Sequence, residues 1–303
     1  MHQISDQTKK WVEDQLEGKI KSTKPMPGGT SSQMSLLQIK TNQEALEEVV
    51  LREYTDTDWL EMEPTIAFQE AENLKEAEKV AMPTSVCLAV DGDATLTTWP
   101  SLLMSIVEGK VDLKPKDFDS WVDQLARALT VVHEINNPSI KHKYFRYFNS
   151  NQPVKAKWSA LHNEWRAAFE LLNKQNQPDF TPSFIHRDYH PTNVLFENGK
   201  VSGIVDWPNA CLGPKEIDIG HCRWNLAMLF GQQAAEAFLE AYHRHNPSFS
   251  YDAYWDLEAL GNVFTEERPE VYAGWETFGI TNLTEEKLIR RLDEFLLNTL
   301  ERM

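Results

Sequence analysis

The chain has 303 residues, of which 41% are hydrophobic and 25% charged, so it can bury a large core and has the composition of a globular protein. Its formal net charge is −16, from 30 basic and 46 acidic side chains. This argues against nucleic acid or an anionic membrane as a partner, because both need a basic surface. No apolar run approaches the roughly 18 residues of a membrane span. Three cysteines without CxxC spacing and no apolar signal segment predict a cytoplasmic protein.

The first third of the sequence predicts strands mixed with two helices. A breaker-rich loop over 25–32 contains the pair Gly28-Gly29, which could let backbone N–H groups approach phosphates, although adjacent glycines also mark ordinary hairpins. The predicted elements are helices over 1–24 and 64–79 and strands over 34–39, 49–54, 83–90 and 100–109.

Helical periodicity dominates after residue 109, where Trp121, Leu125 and Leu129 recur at helical spacing. We therefore expect two domains, residues 1–105 and 106–303. Further predicted helices lie over 155–176, 232–245, 252–261 and 284–302.

Residues 184–207 combine a polar turn with a predicted hairpin. The Asn-Gly pair at 198–199 predicts a two-residue turn, since both central residues of a type I′ turn need positive φ. The turn and the hairpin together carry Asp188, Asn193 and, at the end of the return strand, Asp206. Carboxylate and amide oxygens are the ligands that Mg²⁺ prefers, and Mg²⁺ commonly shares its coordination with substrate phosphates.

The same residues match the phosphoryl-transfer pattern H-R-D-x-x-x-x-N, followed by a strand that ends in a metal-binding Asp. In that chemistry one Asp accepts the proton of the attacking hydroxyl, while an Asn and a second Asp hold the metal on the nucleotide phosphates. The pattern predicts the first role for Asp188 and the second for Asn193 and Asp206.

Two other interpretations of this stretch are open. Asp and Asn also shape surface turns, but five positions would then match the pattern by accident. The sharper alternative is a metal-dependent hydrolase, in which His186, Asp188 and His190 alternate as ligands and Asp206 and His221 complete a zinc site. That alternative leaves most of the N-terminal third without a role.

The segments HRDYHPTNVLF and IVDW resemble the aminoglycoside phosphotransferase and choline-kinase-like family, in which position 187 is usually Gly and not Arg as here. Residues 100–109 and the segment ACLGPKEIDIGHCRWNLA resemble that family as well. The resemblance implies a protein-kinase-like α+β fold, with a small N-lobe of antiparallel sheet and one main helix, a larger and mostly helical C-lobe, and a site in the cleft between them. The absence of an A-P-E segment after Asp206 disfavours a protein substrate.

The resemblance also implies roles for residues of the N-lobe. Arg52, the only base in its strand, would contact the α/β-phosphates, and Glu70, with Glu72 as the fallback, would pair with it. The adenine would be held by the backbone of the strand that joins the lobes, with one side chain lining the pocket. These predicted contacts are Met104, Ser105, Ile106 and Val107.

In the C-lobe the resemblance implies that His186 and Asp218 support the catalytic loop. The implied reaction transfers the γ-phosphoryl group of ATP or GTP, with Mg²⁺, to a hydroxyl of a small molecule. An aminoglycoside or macrolide antibiotic and an amino-alcohol metabolite are candidate acceptors. A nucleotide-binding regulator without turnover is an alternative, because Arg52 stands where the family usually has Lys. The sequence does not indicate the oligomeric state.

Residues 251–276 interleave acids with aromatic residues against a single base. Such a wall would attract a cationic acceptor by Coulomb and cation–π terms, although the run could equally be a solvated helix face. The predicted acceptor contacts are Trp255, Asp256, Glu267 and Glu270.

Overall fold

A computed structural model describes residues 4–26, 32–146, 148, 155–272 and 274–303. Its contacts divide the chain into two compact units. The first consists of Met1–Lys79, Pro83–Glu108 and Ile204–Pro208, and the second of Val80–Met82, Gly109–Gly203 and Asn209–Met303. The sequence predicts a single boundary after residue 105, whereas the first unit also includes Ile204–Pro208, the segment that carries Asp206.

The first unit is built on a five-stranded antiparallel sheet in the order β1-β2-β3-β5-β4. The strands are β1 Gly18–Pro25, β2 Ser32–Thr41, β3 Leu46–Tyr54, β4 Cys87–Asp91 and β5 Ser101–Ser105. The helices are α1 Asp6–Gln15, α2 Thr57–Met62 and α3 Ile66–Ala77.

The central strand β3 is buried on both faces over residues 49–54, including its two charged residues, Arg52 and Glu53. On one face Val49 and Leu51 pack with Trp11 of α1. At the end of the strand, Tyr54 packs with Ile66 of α3. The strand therefore has covered surfaces on both sides, and Arg52 lies within it.

The predicted helix over 1–24 is wrong in its second half. The helix ends at Gln15, where Glu17 adopts a positive φ of 46°, and β1 follows. Ile20 pairs with Ile39 of β2, and a Cβ at Gly18 would lie 2.7 Å from the Ile39 side chain. The close strand approach thus explains the glycine, while the apolar spacing alone suggested a continuing helix. The predicted phosphate turn at Gly28-Gly29 lies outside the described residues.

The second unit is mainly helical. Its helices are α4 Phe118–His133, α5 His162–Lys174, α6 Lys215–Phe230, α7 Gln232–His245, α8 Tyr254–Ala259, α9 Gly274–Thr277 and α10 Glu285–Glu301. Its short strands are β6 Ser183–Ile185, which pairs with β9 Cys211–Gly213, and β7 Val194–Glu197, which pairs with β8 Lys200–Ile204. Short 3-10 helices cover Pro191–Asn193 and Leu260–Val263.

The β7–β8 hairpin turns as the sequence predicts, because Asn198 and Gly199 both have positive φ, at 51° and 75°. The last helix also begins as predicted, with the Thr284 side chain accepting a hydrogen bond from the backbone N–H of Lys287. None of the helices in the described part of the chain has the length and apolar character needed to cross a membrane.

Candidate active site

Arg52 connects two carboxylates inside the first unit. Its side chain is buried, with 4% of the residue exposed. Nη1 donates to Glu70 Oε1 at 2.5 Å, and Nη2 donates to Asp206 Oδ1 at 2.6 Å. Burial acts to lower the pKa of Arg52, but the attraction of Glu70 and Asp206 outweighs it and raises that pKa well above its ordinary value. The guanidinium is therefore a permanent charge between two acids.

Glu70 is fixed from a second direction by Tyr54, whose hydroxyl donates to Glu70 Oε2. Burial, followed by the nearby Glu70 charge, raises the pKa of Tyr54 well above its ordinary value, so the hydroxyl keeps its proton and remains a donor. The fallback residue Glu72 is exposed on the same helix. Between the two acids that the sequence left open, the structure therefore pairs Glu70 with Arg52.

The segment that presents Asp206 is anchored by residues that the sequence did not single out. The Asn73 side chain of α3 donates to the carbonyls of Trp207 and Pro208 at 2.8 and 3.2 Å. Trp207 is fully buried, and its indole N–H donates to the Ile204 carbonyl. Asp206 itself has a positive φ of 72°, an uncommon conformation that is retained where the surroundings determine it strongly.

In the second unit, Asp188 faces two histidines. His221 Nε2 lies 3.1 Å from Asp188 Oδ1, and His190 Nε2 lies 3.6 Å from the same oxygen. The Asn193 side chain donates to the Asp188 backbone carbonyl at 2.9 Å. These contacts gather two residues of the polar turn, His190 and Asn193, and one residue of α6, His221, around Asp188.

The electrostatics around Asp188 favour its charged form. Burial acts to raise its pKa, but the attraction and hydrogen bonds of His190, followed by those of His221, hold the pKa well below its usual value. The Asp188 side chain is still 31% exposed, so it can meet a ligand. An ionised, partly accessible carboxylate is suited to accept a hydrogen bond from a hydroxyl.

Asp218 of α6 supports the turn that carries Asp188. Its two oxygens accept hydrogen bonds from the backbone N–H groups of His186, at 2.8 Å, and Arg187, at 2.6 Å. His133 lies 3.1 Å from Asp218 and binds the Tyr242 hydroxyl through its other ring nitrogen, at 2.8 Å. Asp218 is fully buried and therefore acts on the loop, not on a ligand.

Arg187 occupies a strained position beside Asp188. Its φ is +67°, a left-handed conformation that a glycine would adopt without cost. The guanidinium lies over the rings of Phe145 and Tyr144, 4.4 and 5.2 Å from their centroids, and donates to the Phe145 carbonyl. Cation–π contacts and a hydrogen bond thus stabilise the Arg side chain at a position that favours glycine.

The chain is similar to known phosphotransferases. The model of a phosphotransferase enzyme family matches residues 22–256, which is most of the chain. The chain belongs to this family. It is a phosphotransferase with a hydroxyl acceptor, and the family resemblance read from residues 184–207 is confirmed. A search of curated proteins gave no significant match.

Solved structures show the fold of this phosphotransferase. A thermostable mutant of aminoglycoside phosphotransferase APH(4)-Ia, in complex with AMP-PNP and hygromycin B, has a TM-score of 0.63 at 11% identity, over 97% of this chain and 98% of that chain. Aminoglycoside-3'-phosphotransferase of type VIII has a TM-score of 0.57 at 16% identity, over 80% and 93%. Macrolide 2'-phosphotransferase MphH from Brachybacterium faecium has a TM-score of 0.51 at 14% identity, over 83% and 85%. The predicted kinase-like α+β fold is confirmed.

Of the histidines that the hydrolase alternative named, two lie in a cluster of candidate ligands and one does not. His186 is fully buried, and its backbone N–H is bound by Asp218. The ligand atoms that do converge belong to Asp188, His190 and His221, all within 4.8 Å of one another. His186 is therefore not part of this cluster, whereas His190 and His221, which the alternative also named, are.

The predicted adenine contacts stay predictions, but the structure limits what the backbone of Ser105 can offer. Met104 is buried in β5, and the Ser105 backbone N–H donates to the Val86 carbonyl at 2.9 Å. The Ser105 N–H is therefore engaged by the neighbouring chain segment and is not available to a base. Ile106 and Val107 follow the end of β5 and are partly exposed, so their predicted contacts stay predictions.

Two of the predicted acceptor residues are in the wrong place for that role. Asp256 is fully buried and binds Arg223 at 2.9 Å and Arg302. Trp255 is buried beside it. The acidic run 251–276 is therefore not one exposed wall, because Asp256 is buried and paired with the buried Arg223 and with Arg302. Glu267 and Glu270 are exposed, and their role stays a prediction.

Proposed function

We propose that this phosphotransferase transfers the γ-phosphoryl group of ATP or GTP to a hydroxyl of a small molecule. The observation that carries the proposal is Asp188, which occupies the third position of the H-R-D-x-x-x-x-N pattern and is held ionised and partly accessible between His190 and His221. Asp188 would accept a hydrogen bond from the acceptor hydroxyl and receive its proton as the new O–P bond forms.

The lowered pKa of Asp188 indicates which part of this role matters more. A carboxylate with a depressed pKa is a weak base, so it would contribute little by removing the proton before the bond forms. Phosphoryl transfer has a loose transition state and depends chiefly on positioning and charge stabilisation. We therefore assign Asp188 mainly to orienting the hydroxyl, with proton transfer late in the reaction.

The charges of the first unit support a role with the nucleotide. Arg52 is permanently charged and carries a buried Nε that has no hydrogen-bond partner among the described residues. Such an unpaired donor suits a phosphate oxygen, and an arginine can bind phosphate through two donors at once. Glu70 would hold Arg52 in place through the 2.5 Å contact, as the resemblance implies.

Magnesium fits the donors that the resemblance assigns to it. Asn193 uses its amide N–H groups in the hydrogen bonds found within the described ranges, which leaves its side-chain oxygen, and Asp206 binds Arg52 through Oδ1, which leaves Oδ2. Both are hard oxygen ligands of the kind that Mg²⁺ prefers. When bound there, Mg²⁺ would neutralise charge on the phosphate oxygens.

The acceptor class is inferred from structural neighbours and from exposed acids of this chain. Among the structural neighbours are an APH(4)-Ia complex with hygromycin B and a streptomycin–ATP complex of APH(2")-IIa. Together with the exposed acids Glu267 and Glu270, these neighbours support a cationic, hydroxyl-bearing acceptor such as an aminoglycoside, with macrolides and amino-alcohols as the next classes to test.

A radiolabel-transfer screen tests the proposal. Purified protein is incubated with γ-labelled ATP or GTP, Mg²⁺ and a library of aminoglycosides, macrolides and amino-alcohols, and phosphorylated products are separated by chromatography. We expect label on at least one hydroxyl acceptor, and loss of that label in Asp188→Asn. Nucleotide binding with no transfer to any acceptor would favour the regulator alternative.

A further inference from the structure

Asp188, His190 and His221 form a cluster with a chemical property that phosphoryl transfer does not use. The Nε2 atoms of both histidines face the same carboxylate oxygen, Asp188 Oδ1, at 3.6 and 3.1 Å. All three ligand atoms lie within 4.8 Å of one another. The donors are two imidazole nitrogens and one carboxylate oxygen, a set that suits Zn²⁺ and other transition metals better than Mg²⁺.

The spacing of these atoms is close to that of a tetrahedral site. Zn–N and Zn–O bonds of about 2.0–2.2 Å place neighbouring ligands of a tetrahedron about 3.3–3.5 Å apart. Two of the three separations, 3.1 and 3.6 Å, lie on either side of that value, and the third, between the two Nε2 atoms, is no more than 4.8 Å. Three protein ligands would be in place with small side-chain movements, and a fourth position would remain for water.

The histidine rings are also held in the right orientation. Thr192 Oγ1 lies 2.8 Å from His190 Nδ1, so the Nε2 atom of that ring is turned toward Asp188. Metal-binding histidines usually make such a hydrogen bond through their other nitrogen. His221 is buried on α6, with its ring 5.2 Å from that of Trp224. When neutral His190 carries its proton on Nδ1, that N–H donates a hydrogen bond to Thr192, and the Nε2 lone pair, which also faces the Asn193 amide at 3.2 Å, is available to a metal.

We propose that Asp188, His190 and His221 form an inhibitory site for a transition-metal dication such as Zn²⁺. The inhibition rests on the proposed function, because Asp188 is the group assigned to the acceptor hydroxyl. A metal on Oδ1 neutralises the carboxylate and occupies the oxygen that faces the histidines. Zinc would then compete with the acceptor while Mg²⁺ stays with the oxygen ligands described above.

Cobalt titration of the chelator-treated full chain tests the site without reference to activity. We expect one Co²⁺ per chain with the visible d–d absorption of four-coordinate cobalt, and displacement by Zn²⁺ but not by Mg²⁺. His190→Gln and His221→Gln should each weaken binding about 100-fold or more. Thr192→Val should weaken it about 10–100-fold, the usual range for a group that orients a ligand.

His245→Gln is the matched control, because His245 also faces an aspartate, with its Nε2 3.1 Å from Asp123, but this pair belongs to no group of three candidate ligands among the described residues. This variant should bind cobalt as the wild type does. Thermal denaturation of every variant shows whether its fold is intact. Equal cobalt binding in the wild type and in folded His190→Gln and His221→Gln would overturn the site, as would a sulfur-to-cobalt charge-transfer band from a cysteine.

A separate assay, phosphotransfer in the presence of Zn²⁺, tests the inhibition. Zn²⁺ at the concentration that displaces cobalt should abolish phosphotransfer in the wild type and in His245→Gln. Cobalt binding at the cluster with phosphotransfer unaffected by Zn²⁺ would overturn the inhibition but keep the site. If the metal-free wild type transfers no phosphoryl group, the proposed function and the inhibition both fail, while the cobalt titration still decides the metal site.

Discussion

Arg52 Nη2 and Asp206 Oδ1 are 2.6 Å apart although the two residues are 154 positions apart in the chain. Asp206 is held near Arg52 because the Asn73 side chain binds the carbonyls of the next two residues, Trp207 and Pro208. The contact between Arg52 and Asp206 means that the side chain proposed for the phosphates and one proposed for magnesium already neutralise each other. Binding of a nucleotide with Mg²⁺ would therefore replace one ion pair by two, and both residues start in a fixed orientation.

The buried pair of Arg52 and Glu70 predicts a large and coupled effect on stability. Arg52→Ala would leave Glu70 buried without its charged partner, and such a change costs about 3–5 kcal/mol. The double variant Arg52→Met with Glu70→Leu should cost less than the sum of the costs of Arg52→Met alone and Glu70→Leu alone. Chemical denaturation measures both effects. Glu72→Gln, on the exposed side of α3, is the control and should change the free energy of unfolding by no more than about 0.5 kcal/mol. Additive costs in the double variant would show that the pair is not coupled.

The depressed pKa of Asp188 predicts a pH-dependent contribution to stability. An unfolded Asp has a pKa of about 3.9, so the full contribution of the charged form is present above that pH and is lost as the pH falls through the lower, folded-state pKa. As the pH is lowered below about 4, the wild type should therefore lose free energy of unfolding relative to Asp188→Asn, whose side chain does not titrate. Denaturant titrations at several pH values measure this difference, and a difference that stays constant over that range would contradict the prediction.

Surface acids predict a salt-dependent acceptor KM. Glu267 and Glu270 are exposed, and screening acts over about 8 Å at physiological ionic strength, so their attraction for a cationic acceptor should weaken as salt is added. Glu267→Gln and Glu270→Gln should raise the acceptor KM at low salt and leave the ATP KM nearly unchanged. The matched control is Glu61→Gln, an exposed acid on α2 of the first unit. An acceptor KM indifferent to salt and to both substitutions would exclude this role.

Asp256 predicts a different result from the exposed acids of the same run. It is fully buried between Arg223 and Arg302, so Asp256→Asn should destabilise the fold by about 3–5 kcal/mol because Arg223 stays buried with its charge less compensated. Where enough folded protein remains, its acceptor KM should equal that of the wild type. A stable Asp256→Asn protein with a raised acceptor KM would restore the original hypothesis for this residue.

Local patterns predicted those parts of the site that depend on neighbours in sequence. The Asn198-Gly199 turn follows from the φ values that a tight hairpin requires. The roles of Asp188, Asn193 and Asp206 were inferred from the spacing of a phosphoryl-transfer pattern and stay predictions. The choice of Glu70 over Glu72 needed the structure, because only the direction of each side chain from α3 separates a buried acid from an exposed one.

Contacts between residues that are far apart in the chain could not be predicted from sequence patterns. His221 reaches Asp188 from α6, and Asn73 reaches the Trp207 carbonyl from α3, and neither pairing has a periodic signal. The burial of Asp256 was missed for the same reason, since its partner Arg223 lies on another helix. Strand β1 was missed because Ile20 continues the apolar spacing of α1, and only pairing with Ile39 distinguishes the strand from a longer helix.

The role of Asp188 is tested most directly by single-turnover phosphotransfer in Asp188→Asn, with His245→Gln as the control. The asparagine keeps the size of the side chain but removes the negative charge that orients the hydroxyl and receives its proton. We expect the rate of the chemical step to fall by at least about 100-fold, the lower end of what a general acid–base group contributes, while the Kd for MgATP stays within about twofold. A chemical step as fast in Asp188→Asn as in the wild type would contradict the account.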